Sequence, residues 1–282
     1  MNLWFTELEF SYKNVGLTLK IKKQLHHEET PYQVLDIFET FHYGKMMTLD
    51  GIIQLTELDE FFYHEMISHV PLFMHPNPQS VLIIGGGDGG TAREVLKHNC
   101  VQQVDMIEID EQVIAISKRF FWKISEAFND DRLKVQVADG IKYAAECSEK
   151  KYDVIIIDSS DPVGPAVGLF TSDFYGNCYR ILKEQGVVIA QAGTFWYQPD
   201  EARDVRSKLK EIFDYADLYW SITPTYPAGQ MTYAFGCKGI NPYEFDKMRI
   251  QDKTIKMKYY NPDIHMAAFA LPTYMLYEND KA

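Results

Sequence analysis

Val81-Leu-Ile-Ile-Gly-Gly-Gly-Asp-Gly-Gly90 is the stretch on which the fold turns. Its four leading aliphatic residues, unbroken by a polar one, suit a strand covered on both faces. Five of the six residues from Gly85 to Gly90 are glycine, and a helical pattern opens directly behind them at Thr91. Glycine permits a tight turn and lets a ligand reach the backbone, while the following helix offers unpaired N–H groups. A glycine run alone is weak, but strand, loop and helix in this order mark a nucleotide site.

Outward from that loop, strands are expected at Val104–Glu108, Leu133–Val137, Asp153–Ile157 and Val187–Ala190, with helices around 91–98, 111–120, 172–182 and 200–213. Alternating strand and helix predicts an α/β fold: a doubly wound, mainly parallel, Rossmann-like sheet of the methyltransferase type. Two late strands, 216–221 and 231–236, have only a loop between them and are expected to pair antiparallel at one edge. The first 55 residues differ. Gly16–Lys23 alternates at period two, Tyr32–Thr40 follows Pro31 in similar character, and Lys45–Gln54 reads as a hairpin turning at Asp50-Gly51. This predicts a small N-terminal antiparallel β domain over 1–55 and a catalytic domain over 56–282. A helix is expected to start at Thr56 as N-cap and to end at Val70, before Pro71.

The chain has 282 residues, 46% hydrophobic and 24% charged, which excludes disordered and fibrous classes. Lys+Arg 28 against Asp+Glu 40 leaves a net charge of −12, a poor match for nucleic acid or an anionic membrane and a better one for a cationic ligand. The four cysteines form no C-x-x-C pair, so a metal site is not expected and reduced thiols in the cytoplasm are. The start of the chain lacks a basic segment and an apolar run, so no signal peptide is expected. Leu218–Cys237 carries no charge, yet its prolines, glycine and hydroxyls argue against a membrane span.

The acids are placed with equal economy. Glu108 ends the second parallel strand, where such folds put the carboxylate that binds ribose hydroxyls, and Asp139-Gly140 closes the third strand beside the base. Asp88, inside the glycine loop, would repel a pyrophosphate and also the carboxylate of S-adenosylmethionine, and so points to a nucleoside with a positive tail. Asp158-Ser-Ser-Asp-Pro-Val-Gly-Pro-Ala follows the fourth strand. In a doubly wound sheet the first and fourth strands are neighbours, so Asp88, Asp158 and Asp161 are expected to face one crevice. The segment 159–172 is expected to act as a lid. Read by itself, His64 is a helix-surface residue and Tyr63 a packing residue.

Gly85–Gly90, Glu108-Ile-Asp, Asp139-Gly140, the Asp158–Ala166 segment and Pro224-Thr-Tyr-Pro-Ala-Gly-Gln together resemble the signature segments of the spermidine synthases, as do Trp4-Phe-Thr-Glu, Tyr32-Gln33 and Leu49–Gln54. The resemblance implies transfer of an aminopropyl group from decarboxylated S-adenosylmethionine, a co-substrate, to putrescine, giving spermidine and methylthioadenosine without metal or cofactor. It implies that Gln33, Glu108, Asp139, Gly140 and Pro165 hold the nucleoside and that Asp88 binds the amine of the aminopropyl arm. Asp158 is then the proton acceptor. Ser159, Ser160 and Asp161 would line the diamine site, with Tyr63, His64 and Tyr226 as its polar walls. It also implies a homodimer or homotetramer joined through the N-terminal β unit. On the chemistry, burial and the charge of Asp161 are expected to raise the proton affinity of Asp158. Three alternatives stay open at this point: another acceptor such as agmatine, cadaverine or spermidine, a methyltransferase using the same crevice, and a non-catalytic polyamine-binding protein.

Overall fold

Two hydrophobic patterns build two sheets in the computed structural model, which describes residues 3–7, 15–162, 164–251 and 254–276. Period-two alternation forms a five-stranded antiparallel meander of β1 (Leu3–Glu7), β2 (Leu17–Glu29), β3 (Val34–Thr40), β4 (Lys45–Leu49) and β5 (Ile52–Thr56). The β4–β5 hairpin turns at Asp50-Gly51 as the sequence predicts, with φ of 51° and 78°, the signs a type I′ turn requires. Residue 163, inside the expected lid, lies outside the described residues.

Helix α1 (Glu60–Met74) departs from expectation at both ends. Thr56 is held in the β4–β5 ladder opposite Met46 and caps nothing; Asp59 is the N-cap and accepts the Thr56 hydroxyl. Pro71 does not end the helix, although it removes one intrahelical hydrogen bond. Ile67, Val70, Leu72 and Phe73 around it are fully or almost fully buried, and that packing outweighs the missing bond. Arg249 then donates to the carbonyls of Leu72 and His75, which the end of the helix leaves open.

Continuous aliphatic runs form the second sheet. In chain order it comprises β6 (Ser80–Gly85), α2 (Gly90–Leu96), β7 (Gln103–Glu108), α3 (Glu111–Phe120), β8 (Leu133–Val137), α4 (Gly140–Glu146), β9 (Tyr152–Asp158), α5 (Ser172–Ile181), β10 (Leu182–Gln191), α6 (Pro199–Ile212), β11 (Tyr215–Ile222) and β12 (Gln230–Cys237). The strand order is β11-β12-β10-β9-β6-β7-β8, with β8, β7, β6, β9 and β10 parallel and the two late strands antiparallel at one edge, as expected. The uncharged run from Leu218 is therefore sheet, and no helix among the described residues is long and apolar enough to cross a membrane. Side chains alternate between the faces. Val81, Ile83, Val154 and Ile156 pack in the core that includes α1 and α2, while Leu82, Ile84, Ile155 and Ile157 pack in the one that includes α5 and α6. Each such aliphatic side chain contributes about 1.5–3 kcal/mol over an exposed one.

Two further contacts position the crevice. Leu35, Ile37, Met47 and Leu55 of the N-terminal sheet pack on Val113 and Ile116 of α3, bringing that sheet over the carboxyl end of β7. The C-terminal segment, with α7 (Lys247–Ile250), α8 (Pro262–Ala268) and α9 (Thr273–Leu276), is lashed to α1 by Glu65. Its carboxylate accepts the backbone N–H groups of Lys258, Tyr259 and Tyr260 at 2.7–2.8 Å. Glu65→Ala should strand these three donors and lower unfolding stability by about 2–4 kcal/mol, read by urea denaturation; a loss below about 0.5 kcal/mol would show the segment to be held by its apolar contacts alone.

Candidate active site

The site grows from one register. β6 and β9 are adjacent, and the ladder sets Gly85 opposite Asp158. Gly86 N–H donates to the Asp158 carbonyl at 2.8 Å. Gly85 has φ +83°, and a Cβ there would overlap that same carbonyl, so only glycine fits. The close approach places the glycine loop and the Asp158 carboxylate side by side on one cavity of about 270 Å³. All the residues singled out from the sequence line it: Gln33, Tyr63, His64, Asp88, Glu108, Asp139, Gly140, Asp158, Ser159, Ser160, Asp161, Pro165 and Tyr226.

One half of the cavity centres on Glu108 and the edge of the N-terminal sheet. Glu108, buried at the end of β7, accepts the N–H groups of Gly87 (3.1 Å) and Asp110 (2.9 Å). Burial pushes its carboxyl up to about 7, the Asp110 charge adding to the effect against the backbone donors. Gln33 is held between the N-terminal sheet and α3 by the hydrogen bond its side-chain amide donates to Asp110 (2.9 Å), which also accepts the Thr30 hydroxyl. Asp139 caps α4 through the N–H groups of Ile141 and Lys142. The segment after Asp161 is a 3-10 helix, Gly164–Phe170, with Ala166, Leu169 and Phe170 tucked into the core and Pro165 left on the cavity wall.

The other half is acidic. Tyr63 donates its hydroxyl to Asp158 Oδ1 and Thr91 donates to Oδ2, both at 2.6 Å. Burial raises the proton affinity of Asp158, and the Asp88 charge raises it further, while His64, Thr91 and Tyr63 pull the other way. This corrects the expectation about Asp161. That carboxylate lines the same cavity but is held by Gln191 (3.1 Å) and Gln198 (3.0 Å), and its charge acts on Glu7 rather than on Asp158. Of the solitary readings, packing holds for Tyr63, while the surface reading of His64 fails. Tyr63 packs near Tyr226 and Tyr233 but spends its hydroxyl on Asp158. His64 is no surface residue: it is buried between Glu60 and Asp88. Tyr226 lines the cavity while donating its hydroxyl to the Gln54 carbonyl, a tie between the two domains.

Sequence reasoning gave no site role to Thr91, Gln191, Gln198 or Glu7. Thr91 had a signal, since it directly follows the glycine loop; the others lie at the ends of distant elements and only folding assembles them. Glu7, on β1, is buried and accepts Ile53 N–H at 2.7 Å. Burial lifts its carboxyl to about 7, the Asp161 charge adding to the lift.

A glycine loop at the switch point of a doubly wound sheet, opening onto a carboxylate-lined cavity, is the frame of a group-transfer enzyme, and the comparisons define the class. Residues 60–247 match the spermine/spermidine synthase domain, and residues 3–57 the spermidine synthase tetramerisation domain. A polyamine aminopropyltransferase of Caldicellulosiruptor saccharolyticus is 49% identical over 275 residues, 98% of this chain and 97% of that one. One from Bacillus mycoides is 47% identical over 98% of both chains. The fold superposes on a spermidine synthase solved in complex with the transition-state analogue AdoDATO, with TM-score 0.93 and 41% identity over 96% of this chain and 93% of that one. It superposes on the spermidine synthase of Thermotoga maritima with TM-score 0.90 and 40% identity, covering 96% and 92%. The chain belongs to the polyamine aminopropyltransferase (spermidine synthase) family.

The raised carboxyl of Glu7 makes a stability prediction. A carboxyl whose folded pKa lies above its unfolded one holds its proton more tightly when folded, so its contribution is complete below about pH 4.5 and is lost as pH rises to about 7. Glu7→Gln keeps an acceptor for Ile53 and removes the titration. Wild type should therefore lose on the order of 3 kcal/mol relative to the variant between those limits and stay level above them. Parallel stability curves for the two proteins across that range would contradict it.

Proposed function

We propose that the chain transfers the aminopropyl group of decarboxylated S-adenosylmethionine to putrescine, releasing spermidine and methylthioadenosine. The observation that carries this reading is the convergence of Asp88, Asp158 and Asp161 on one cavity beside a nucleoside pocket. Both substrates are cations, and the tail of the donor is an amine without a carboxylate. Glu108, Gln33, Asp139, Gly140 and Pro165 would hold the nucleoside. Asp88 would bind the ammonium of the donor, and Ser159, Ser160 and Asp161 would line the diamine path. No metal or cofactor enters the scheme; the donor is a co-substrate.

The chemistry is a displacement. The acceptor nitrogen forms a bond to the carbon beside sulfur, and the C–S bond breaks with its electron pair going to sulfur, which becomes a neutral thioether. The attacking amine must be neutral, and an alkylammonium near pKa 10.4 needs about 4–5 kcal/mol to lose its proton at pH 7. Asp158 is the proton acceptor in this scheme. Its raised proton affinity brings it nearer the amine in strength, and the two hydroxyls on its oxygens fix its plane. Holding donor and acceptor in line supplies further acceleration, and closure of 159–172 would exclude water.

The family match over 3–57 and the exposed Trp4 and Phe41 on the N-terminal sheet support assembly of a homodimer or homotetramer through that sheet. Mass spectrometry of products from decarboxylated donor with putrescine, cadaverine, agmatine and spermidine tests the acceptor; putrescine should give the highest kcat/KM. Asp158→Asn should cut turnover by about 10²–10³-fold while methylthioadenosine affinity stays within about threefold. Near-native turnover in that variant would remove Asp158 from the mechanism.

A further inference from the structure

Behind the acidic half of the cavity runs a buried line of alternating charges. His64 Nδ1 lies 2.6 Å from Glu60 Oε2, and its Nε2 lies 3.3 Å from Asp88 Oδ1. Arg93 Nη2 donates to the same Glu60 oxygen at 2.7 Å, and Arg93 Nε donates to Glu94 at 2.9 Å. Glu60 and His64 are buried, and Glu60 does not line the cavity. A carboxylate only accepts, so a ring nitrogen that hydrogen-bonds one carries a proton; Nδ1 does so to Glu60, and Nε2 stands within ion-pair distance of Asp88. A neutral imidazole carries one such proton; a ring between two carboxylates needs both.

We propose that Glu60, braced by Arg93, is a positioning residue that fixes the His64 ring as a donor at both nitrogens, a permanent cation that lets Asp88 and Asp158 carry charge side by side. The inference rests on the aminopropyl-transfer reading for its consequence and on geometry alone for the cation.

Two features of the site agree with it. The ring accounts for the glycine at 90: a Cβ there would overlap the imidazole, so the last glycine of the loop is the floor on which His64 lies. Two neighbouring carboxylates also tend to share one proton, which would leave either the donor ammonium or the reacting amine without its partner. The titratable and charged groups around the ring are Glu60 and Tyr63 from α1, Arg93 from α2, Asp88 from the glycine loop, Asp158 from β9 and Tyr226 from the 223–229 turn. Burial works against a charged ring, yet Asp88 and Glu60 outweigh it and carry His64 to about 10. Burial likewise opposes the Glu60 carboxylate, and the bonds from His64 and Arg93 hold it down at about 2. At Asp158 the His64 charge offsets part of the rise caused by burial and Asp88.

Histidine-nitrogen NMR of the whole protein tests the cation, with the His64 signals assigned by their loss in His64→Gln. Both ring nitrogens should be protonated at about pH 8, well above an ordinary histidine; a single neutral tautomer there overturns the proposal. The pH profile of kcat/KM for the amine tests the consequence. In Glu60→Gln the acid limb should move up by roughly one pH unit, a loss of about tenfold on the limb that recovers on the alkaline plateau. Glu60→Asp should return the limb towards wild type. A loss by the same factor at every pH would mean that Glu60 is structural only, and overturns the positioning role. The nitrogen spectrum needs no substrate, so a chain that carries this imidazolium but makes no aminopropylated product refutes the reaction and not the cation; should Glu60→Gln fail to fold, the wild-type spectrum still decides.

Discussion

The contact between the glycine loop and the end of β9 is the constraint on which the site depends. Gly85 faces Asp158 in the ladder, and nothing larger than hydrogen fits between its Cα and the Asp158 carbonyl. That closeness brings the glycine turn and the Asp158 carboxylate into one cavity. It follows from topology: β6 and β9 are the central parallel pair, where a doubly wound sheet reverses and opens its crevice.

Electrostatics then divides the cavity by environment. Glu108 and Asp158 are both carboxyls raised by burial, but their partners differ. Glu108 is met by backbone N–H groups of the glycine loop and of the turn after β7. Asp158 is met by two hydroxyls and feels the charge of Asp88. Asp161, though only three residues along the chain, belongs to a third environment made by two glutamines from the end of β10 and the start of α6. The same side chain acquires different chemistry from the element that carries it and the groups folded against it.

The helix that walls the acidic half shows how much distant structure this takes. α1 is continued through Pro71 by packing, tied to the C-terminal segment by Glu65, and set against α2 through the Glu60–Arg93 pair. Tyr63 and His64 thereby reach the cavity from a helix that begins in the junction between the two domains. The N-terminal sheet does the corresponding work at the other end, fixing Gln33 through Asp110 and receiving the hydroxyl of Tyr226 on Gln54.

The alternation of strand and helix, the central glycine loop, the hairpin at Asp50-Gly51, the antiparallel late strands and the acids at strand ends were legible in the amino-acid order, because each is a local pattern of period, turn chemistry or position along an element. So was the convergence of Asp88, Asp158 and Asp161, since sheet topology alone places the ends of the first and fourth parallel strands together. The true cap and end of α1, the partner that loads Asp158, the burial of Glu7 and the charge on His64 were decided only by the tertiary structure. Each depends on which groups lie within a few ångströms and how little water is left between them. Proline strength, proton affinity and hydrogen-bond demand are set by that surrounding shell, and no spacing along the chain records it.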